Sequence, residues 1–247
     1  MTQGDAFPAH PMMHKRIPLV LLLAGTSWQW AFAYGAKDEG AIPAPAIAGH
    51  VQDLNRSNRA NFRQERTSVD AQRVADWIVD SGDNQQMPFM VIDKVDARVY
   101  LFHADGQLQA ASAVLLGLAV GDESVADIGE RKLSDIRTEE RTTPAGRFVA
   151  SLGRNLHGGQ ILWVDYASAL SLHPVITNNP KEHRAQRLST PTPHDNRISF
   201  GCINVPNDFF ERAVKPAFAS SNGIVYVLPE TRPLRKVFPS FDDKMIP

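Results

Sequence analysis

From Pro88 to about Leu228 this chain is a succession of short β-prone runs, each broken off by Gly, Pro or Asp. Phe89-Met90-Val91-Ile92, Arg98-Val99-Tyr100-Leu101-Phe102, Gln107-Leu108-Gln109-Ala110 and Arg147-Phe148-Val149-Ala150 are too short for helices and rich in branched and aromatic residues. Ile161-Leu162-Trp163-Val164, Ala169-Leu170-Ser171-Leu172 and Ile224-Val225-Tyr226-Val227-Leu228 continue the pattern. Asp105-Gly106 between two runs reads as a hairpin turn whose residues both tolerate positive φ. Many short strands punctuated by turn residues predict a mostly β domain, sandwich-like or barrel-like. One helix is expected inside it, with Asn207 as N-cap and Asp208 to about residue 218 as its body. Asp208 and Glu211 lie in its first turns, where the helix dipole favours negative charge.

The part before Pro88 reads differently. Ala71, Val74, Ala75 and Ile78 recur at the spacing of one helix face, with Gly82 as a stop, so a partly helical polar arm or spacer is predicted over 34–86. It begins with a proline-stiffened linker, Gly40-Ala41-Ile42-Pro43-Ala44-Pro45-Ala46. Ahead of that, His14-Lys15-Arg16, the apolar Ile17-Pro18-Leu19-Val20-Leu21-Leu22-Leu23-Ala24 and a small-x-small Ala31-Phe32-Ala33 form the three parts of an export signal. The apolar stretch is roughly 17 residues, short of the ~20 a spanning helix needs. Residues 1–33 are therefore expected to be cleaved, leaving no integral span and a protein in the periplasm or cell envelope. The main domain is expected over 87–230, with 231–247 as a C-terminal tail.

With 26 basic against 27 acidic residues, the chain lacks the basic excess of a nucleic-acid binder. It has no phosphate-binding glycine loop and no paired Cys or His spacing of a zinc site, so neither a metal nor an organic cofactor is expected. The single cysteine, Cys202, cannot form an internal disulfide in an exported monomer.

Cys202 lies in Arg197-Ile198-Ser199-Phe200-Gly201-Cys202-Ile203-Asn204-Val205-Pro206. Gly201 permits a sharp turn and close approach of a substrate carbonyl. Arg197 and the nearby helix start are both expected to favour thiolate, and amides near Gly201 and Cys202 to serve as an oxyanion hole. A cysteine nucleophile also needs a base. His173, closing an apolar run, is one candidate; His183 and His194, in a long polar loop over 178–196, are others.

The hexamer Ser199-Phe200-Gly201-Cys202-Ile203-Asn204 resembles the signature of the YkuD-type L,D-transpeptidases, a Ser-x-Gly-Cys-x-Arg/Asn core preceded by a strand-end His. Further resemblances keep their order over about 88–230: Val91-Ile92-Asp93-Lys94, Val99-Tyr100-Leu101-Phe102 with Asp105-Gly106, a strand Leu116-Gly117-Leu118-Ala119-Val120-Gly121-Asp122, and Thr143-Pro144-Ala145-Gly146-Arg147-Phe148. The resemblance implies Cys202 as nucleophile, His173 as base, Ser199 and Gly201 shaping the turn and oxyanion environment, and Asn204 holding the loop or substrate. Arg197 is a further expected substrate contact. The implied substrate is a peptidoglycan stem peptide, acylating Cys202 with loss of a terminal D-alanine, in cell-wall organisation and cell shape. Phe200 stands where the family usually has His, and Pro174 follows His173 in place of a small residue. The interval to Cys202 is long, with an insertion over 180–194, which keeps His183 as an alternative base. The competing expectation is a non-catalytic periplasmic domain that binds cell-wall peptides.

Overall fold

The computed structural model describes residues 59–241; the predicted signal and linker lie outside the described residues. In chain order the elements are α1 (Val69–Ser81), β1 (Phe89–Asp93), β2 (Arg98–Phe102), β3 (Leu108–Ala113), β4 (Leu116–Gly117), β5 (Gly146–Arg154), β6 (Gln160–Asp165), β7 (Leu170–Pro174), α2 (Arg184–Ser189), β8 (Arg197–Ser199), β9 (Ile203–Val205), a helical run over 207–217 and β10 (Gly223–Val227). A last short helix spans Leu234–Val237. Among the described residues no helix is long and apolar enough to cross a membrane.

The mostly β expectation holds. One 8-stranded sheet runs β3-β2-β1-β10-β5-β6-β7-β9, and β4 pairs with β8 in a second, two-stranded sheet. The large sheet curls: two residues beyond edge strand β3, Leu115 bridges Asn204 in the opposite edge strand β9. That bridge nearly closes the sheet into a barrel, which leaves few backbone groups unpaired.

Strand periodicity divides the side chains between two cores. Met90 and Ile92 of β1 and Val225 and Val227 of β10 face one core with Phe210 and Val214 of the 207–217 helix. Phe89, Val91, Ile224 and Tyr226 face the other. Both central strands are covered on both faces, which is why they read as unbroken apolar runs. The second core is completed by α1 and by residues 234–241, through Trp77, Ile78, Phe238 and Phe241. Each large apolar side chain buried this fully contributes about 1.5–3 kcal/mol against the entropy of ordering it.

Local signals explain the ends of α1. Ser68 Oγ accepts the Ala71 amide at 3.0 Å, and Gly82 closes the helix at φ +69°. The hairpin after β2 forms as expected, but only Gly106 takes positive φ. A side chain there would strike Val79 of α1 at 2.5 Å, so the glycine serves both the turn and the helix packing.

Other expectations are corrected. The 207–217 helix is capped by Pro206, not Asn207, which is already helical; a π turn over Phe210–Val214 widens it. The strand expected over 116–122 is confined to Leu116–Gly117, because the backbone beyond turns to meet Lys94. The polar loop over 178–196 contains a 3-10 turn (Pro180–Glu182) and α2.

Lys94 is fully buried and holds these loops together. Its ammonium donates to Gly121 O at 2.6 Å, Asp122 Oδ1 at 2.8 Å and Thr143 O at 2.9 Å, with Glu230 Oε1 at 3.3 Å. Burial pushes the Asp122 carboxyl up, but hydrogen bonds from Lys94, Thr231 and the Glu230 and Thr231 amides outweigh it and hold it well below the usual carboxylate range. A buried charge left without such partners would cost several kcal/mol, on the order of 3–5.

Candidate active site

Cys202 sits in the turn between β8 and β9. Ser199 Oγ donates to Cys202 O at 2.6 Å and accepts the Gly201 amide at 3.1 Å, closing the turn on itself. Thr143, fully buried, donates its hydroxyl to Gly201 O at 2.7 Å and accepts the Gly117 amide at 2.9 Å. Gly201 has φ +132°, and a Cβ there would lie 2.8 Å from Thr142 O. Only glycine fits that backbone and that gap.

Across from the turn, β7 and β9 pair in parallel with His173 opposite Asn204. His173 Nδ1 lies 2.8 Å from Pro174 O, and its Nε2 lies 3.5 Å from Asn204 Nδ2. A carbonyl only accepts, so Nδ1 carries the proton in the neutral ring and Nε2 presents a lone pair. The thiol sulfur contacts Ser171 Oγ at 3.5 Å and Ala169 O at 3.6 Å. Its ionising partner is the His173 imidazole.

Burial pushes the Cys202 thiol up, but the hydrogen bond and positive charge of His173 outweigh it and lower it, with Ser171 adding to the effect. Burial likewise disfavours a charged His173; the hydrogen bond and negative charge of Cys202 reverse that, so the imidazole is raised, against an opposing push from Arg184. Both shifts favour a thiolate–imidazolium pair.

Beside the sulfur opens a cleft of about 130 Å³. Phe200, Gly201, Cys202 and Ala169 line it together with Ile128, Gly129, Arg131 and Ile136. The latter come from a segment of three 3-10 turns spanning Ile128–Glu130, Leu133–Asp135 and Thr138–Glu140. Gly129 abuts the β6–β7 turn so closely that a Cβ would meet Ala167 O at 2.7 Å. Phe200 carries the Arg141 guanidinium 3.9 Å above its ring. Among the described residues there is no cluster of three or more His, Cys, Asp or Glu side chains able to hold a metal.

The structure thus brings together Cys202, His173, Ser199, Gly201 and Asn204. Arg197 is engaged elsewhere: its guanidinium pairs with Glu230 and donates to Lys94 O at 3.0 Å. The helix start expected to favour the thiolate is separated from Cys202 by the three residues of β9, about 10 Å at strand rise, beyond the reach of the first-turn dipole. Gly201 N–H is taken by Ser199 and is not free as an oxyanion donor. His183 is exposed on the insertion, with φ +51° at the start of α2.

Three residues receive no role in the sequence reading, Ser171, Thr143 and Arg141, and Arg184 enters it only as a charge of the insertion over 180–194. Strand alternation alone places Ser171 on the face of His173, two residues on. Arg184, which donates to Asn204 Oδ1 at 2.7 Å across 20 positions, left no periodic signal.

No family model and no curated protein matches the sequence. Solved structures with a similar course of chain include an L,D-transpeptidase from Xylanimonas cellulosilytica DSM 15894, with TM-score 0.37 and 14% identity over 58% of this chain and 61% of that one. Another from Stackebrandtia nassauensis gives 0.36 and 13% over 60% and 58%. The helical cell shape determining protein Pgp2 from Campylobacter jejuni gives 0.37 and 16% over 66% and 56%. This chain therefore spans between 56% and 61% of the length of those three.

Proposed function

We propose that this chain is an exported cysteine acyltransferase of the cell wall, acting on peptidoglycan stem peptides. One observation carries the reading: the motif cysteine lines a cleft and is paired with the strand-end histidine, whose Nδ1 is oriented by Pro174 O at 2.8 Å. The Cys202 thiolate attacks the carbonyl of a diamino acid residue in the stem. His173, as imidazolium, then protonates the leaving D-alanine amine as the carbon–nitrogen bond breaks. The resulting thioester is attacked by an amine of a second stem, or by water, with His173 taking up the proton and the Cys202 thiolate restored. Ser199 and Thr143 hold the loop in the reactive geometry, and Asn204 steadies both the loop and the imidazole.

The test is the intact mass of the full chain after exposure to a carbapenem, beside Cys202→Ala. An adduct on the wild type alone supports an activated acyl-accepting thiol. No adduct, together with slow thiol labelling, overturns the reading in favour of a domain that binds wall peptides without turning them over.

A further inference from the structure

The segment inserted between His173 and Cys202 does more than cover a surface. Arg184, at the start of α2, is largely buried, with 13% of its side chain exposed. Its Nε pairs with Glu182 and its NH1 donates to Asn204 Oδ1 at 2.7 Å. Arginine has donors and no acceptor, so the Asn204 atom facing it is the oxygen. The amide nitrogen is then forced the other way, 3.2 Å from Cys202 O and 3.5 Å from His173 Nε2.

We propose that Arg184 is a positioning residue for the Cys202–His173 pair: it fixes the Asn204 carboxamide and sets a permanent positive charge behind the imidazole. The inference rests on reading Cys202 and His173 as the reacting pair. The fixed amide donates to Cys202 O and lies beside His173 Nε2, so it ties the backbone of Cys202 to the strand that faces the imidazole. The charge acts on both partners in one direction, since a cation favours thiolate and disfavours imidazolium. The charged and titratable groups around the pair are Arg184 and Glu182 on the insertion and Arg131, paired with Glu140, in the wall of the cleft. Of these, Arg184 is the one joined to the pair through a hydrogen-bonded residue.

The test is the pH dependence of Cys202 alkylation by iodoacetamide in the full chain, with melting temperatures recorded for each variant. Arg184→Met is expected to move the midpoint of thiolate formation upward and to slow alkylation several-fold at about pH 6. Arg184→Lys, which keeps a cation and a donor, is expected to restore most of the shift. Glu182→Gln leaves the Arg184 charge uncompensated and is expected to move the midpoint the opposite way, downward. A purely structural Arg184 would change stability or amplitude and leave both midpoints unmoved; that result in a folded Arg184→Met overturns the proposal. If Arg184→Met fails to fold, Glu182→Gln decides, and an unchanged midpoint there overturns it. Alkylation needs no wall substrate, so a chain that gives no carbapenem adduct but alkylates with the expected midpoints would count against the acyltransferase reading and leave this inference standing.

Discussion

His173 and Asn204 face each other across the parallel pairing of β7 and β9, with Nε2 and Nδ2 3.5 Å apart. The register that aligns them also sets Cys202 immediately before β9. One strand pairing therefore delivers Cys202, His173 and the amide between them.

Removing the imidazole should return the thiol toward its ordinary range. His173→Gln is expected to slow alkylation of Cys202 near neutral pH by about tenfold or more, because the thiolate loses its counter-charge while remaining half-buried. In the wild type, the acid limb of reactivity should lie below that of a free thiol and the alkaline limb above that of free imidazole. Rates measured across the pH range, with Cys202→Ala as blank, check both.

Gly201→Ala should cost stability and reactivity together. The backbone at φ +132° and the Thr142 carbonyl 2.8 Å from the added Cβ both resist a side chain. A loss of about 1–3 kcal/mol in denaturant unfolding is expected, with alkylation slowed as the loop shifts. An unperturbed melt would mean that the loop tolerates a Cβ.

Trp77→Ala tests whether α1 is integral to the folded body. The indole is buried against Tyr226, Phe238 and Phe241, and its N–H donates to Ser240 O at 3.1 Å. Its removal is expected to cost about 3–5 kcal/mol in equilibrium unfolding. A loss under 1 kcal/mol (roughly that of a surface substitution) would make the helix an accessory.

Glu140 should govern the segment that walls the cleft. Hydrogen bonds from Arg131, then from the Arg137 side chain and amide, pull its carboxyl down to about 2. A carboxylate lowered in the folded state stabilises fully above its unfolded value, and that contribution is lost as pH falls through the folded one. Amide exchange over 128–140, compared with the domain core, should therefore accelerate from about pH 4 down to about 2. Glu140→Gln should show the faster exchange already at neutral pH. Equal protection in both proteins at neutral pH would remove Glu140 from the role.

The sequence by itself determined the β character, the placement of most strands and α1 with its stop at Gly82, and it singled out Cys202, Ser199, Gly201 and Asn204, which the fold places together. Those signals are local: alternation, turn residues, a glycine stop and a tight motif act over a few positions, and the chain carries them wherever it goes. Tertiary structure alone decided the rest. Arg197, adjacent to the motif in sequence, is drawn off by Glu230 and Lys94, while Arg184, 20 residues from Asn204, is brought onto it. Ser171 and Thr143 became neighbours of Cys202 and Gly201 through strand pairing and a buried loop. Long-range hydrogen bonds and ion pairs depend on where the backbone carries each side chain, and no one-dimensional period records that destination.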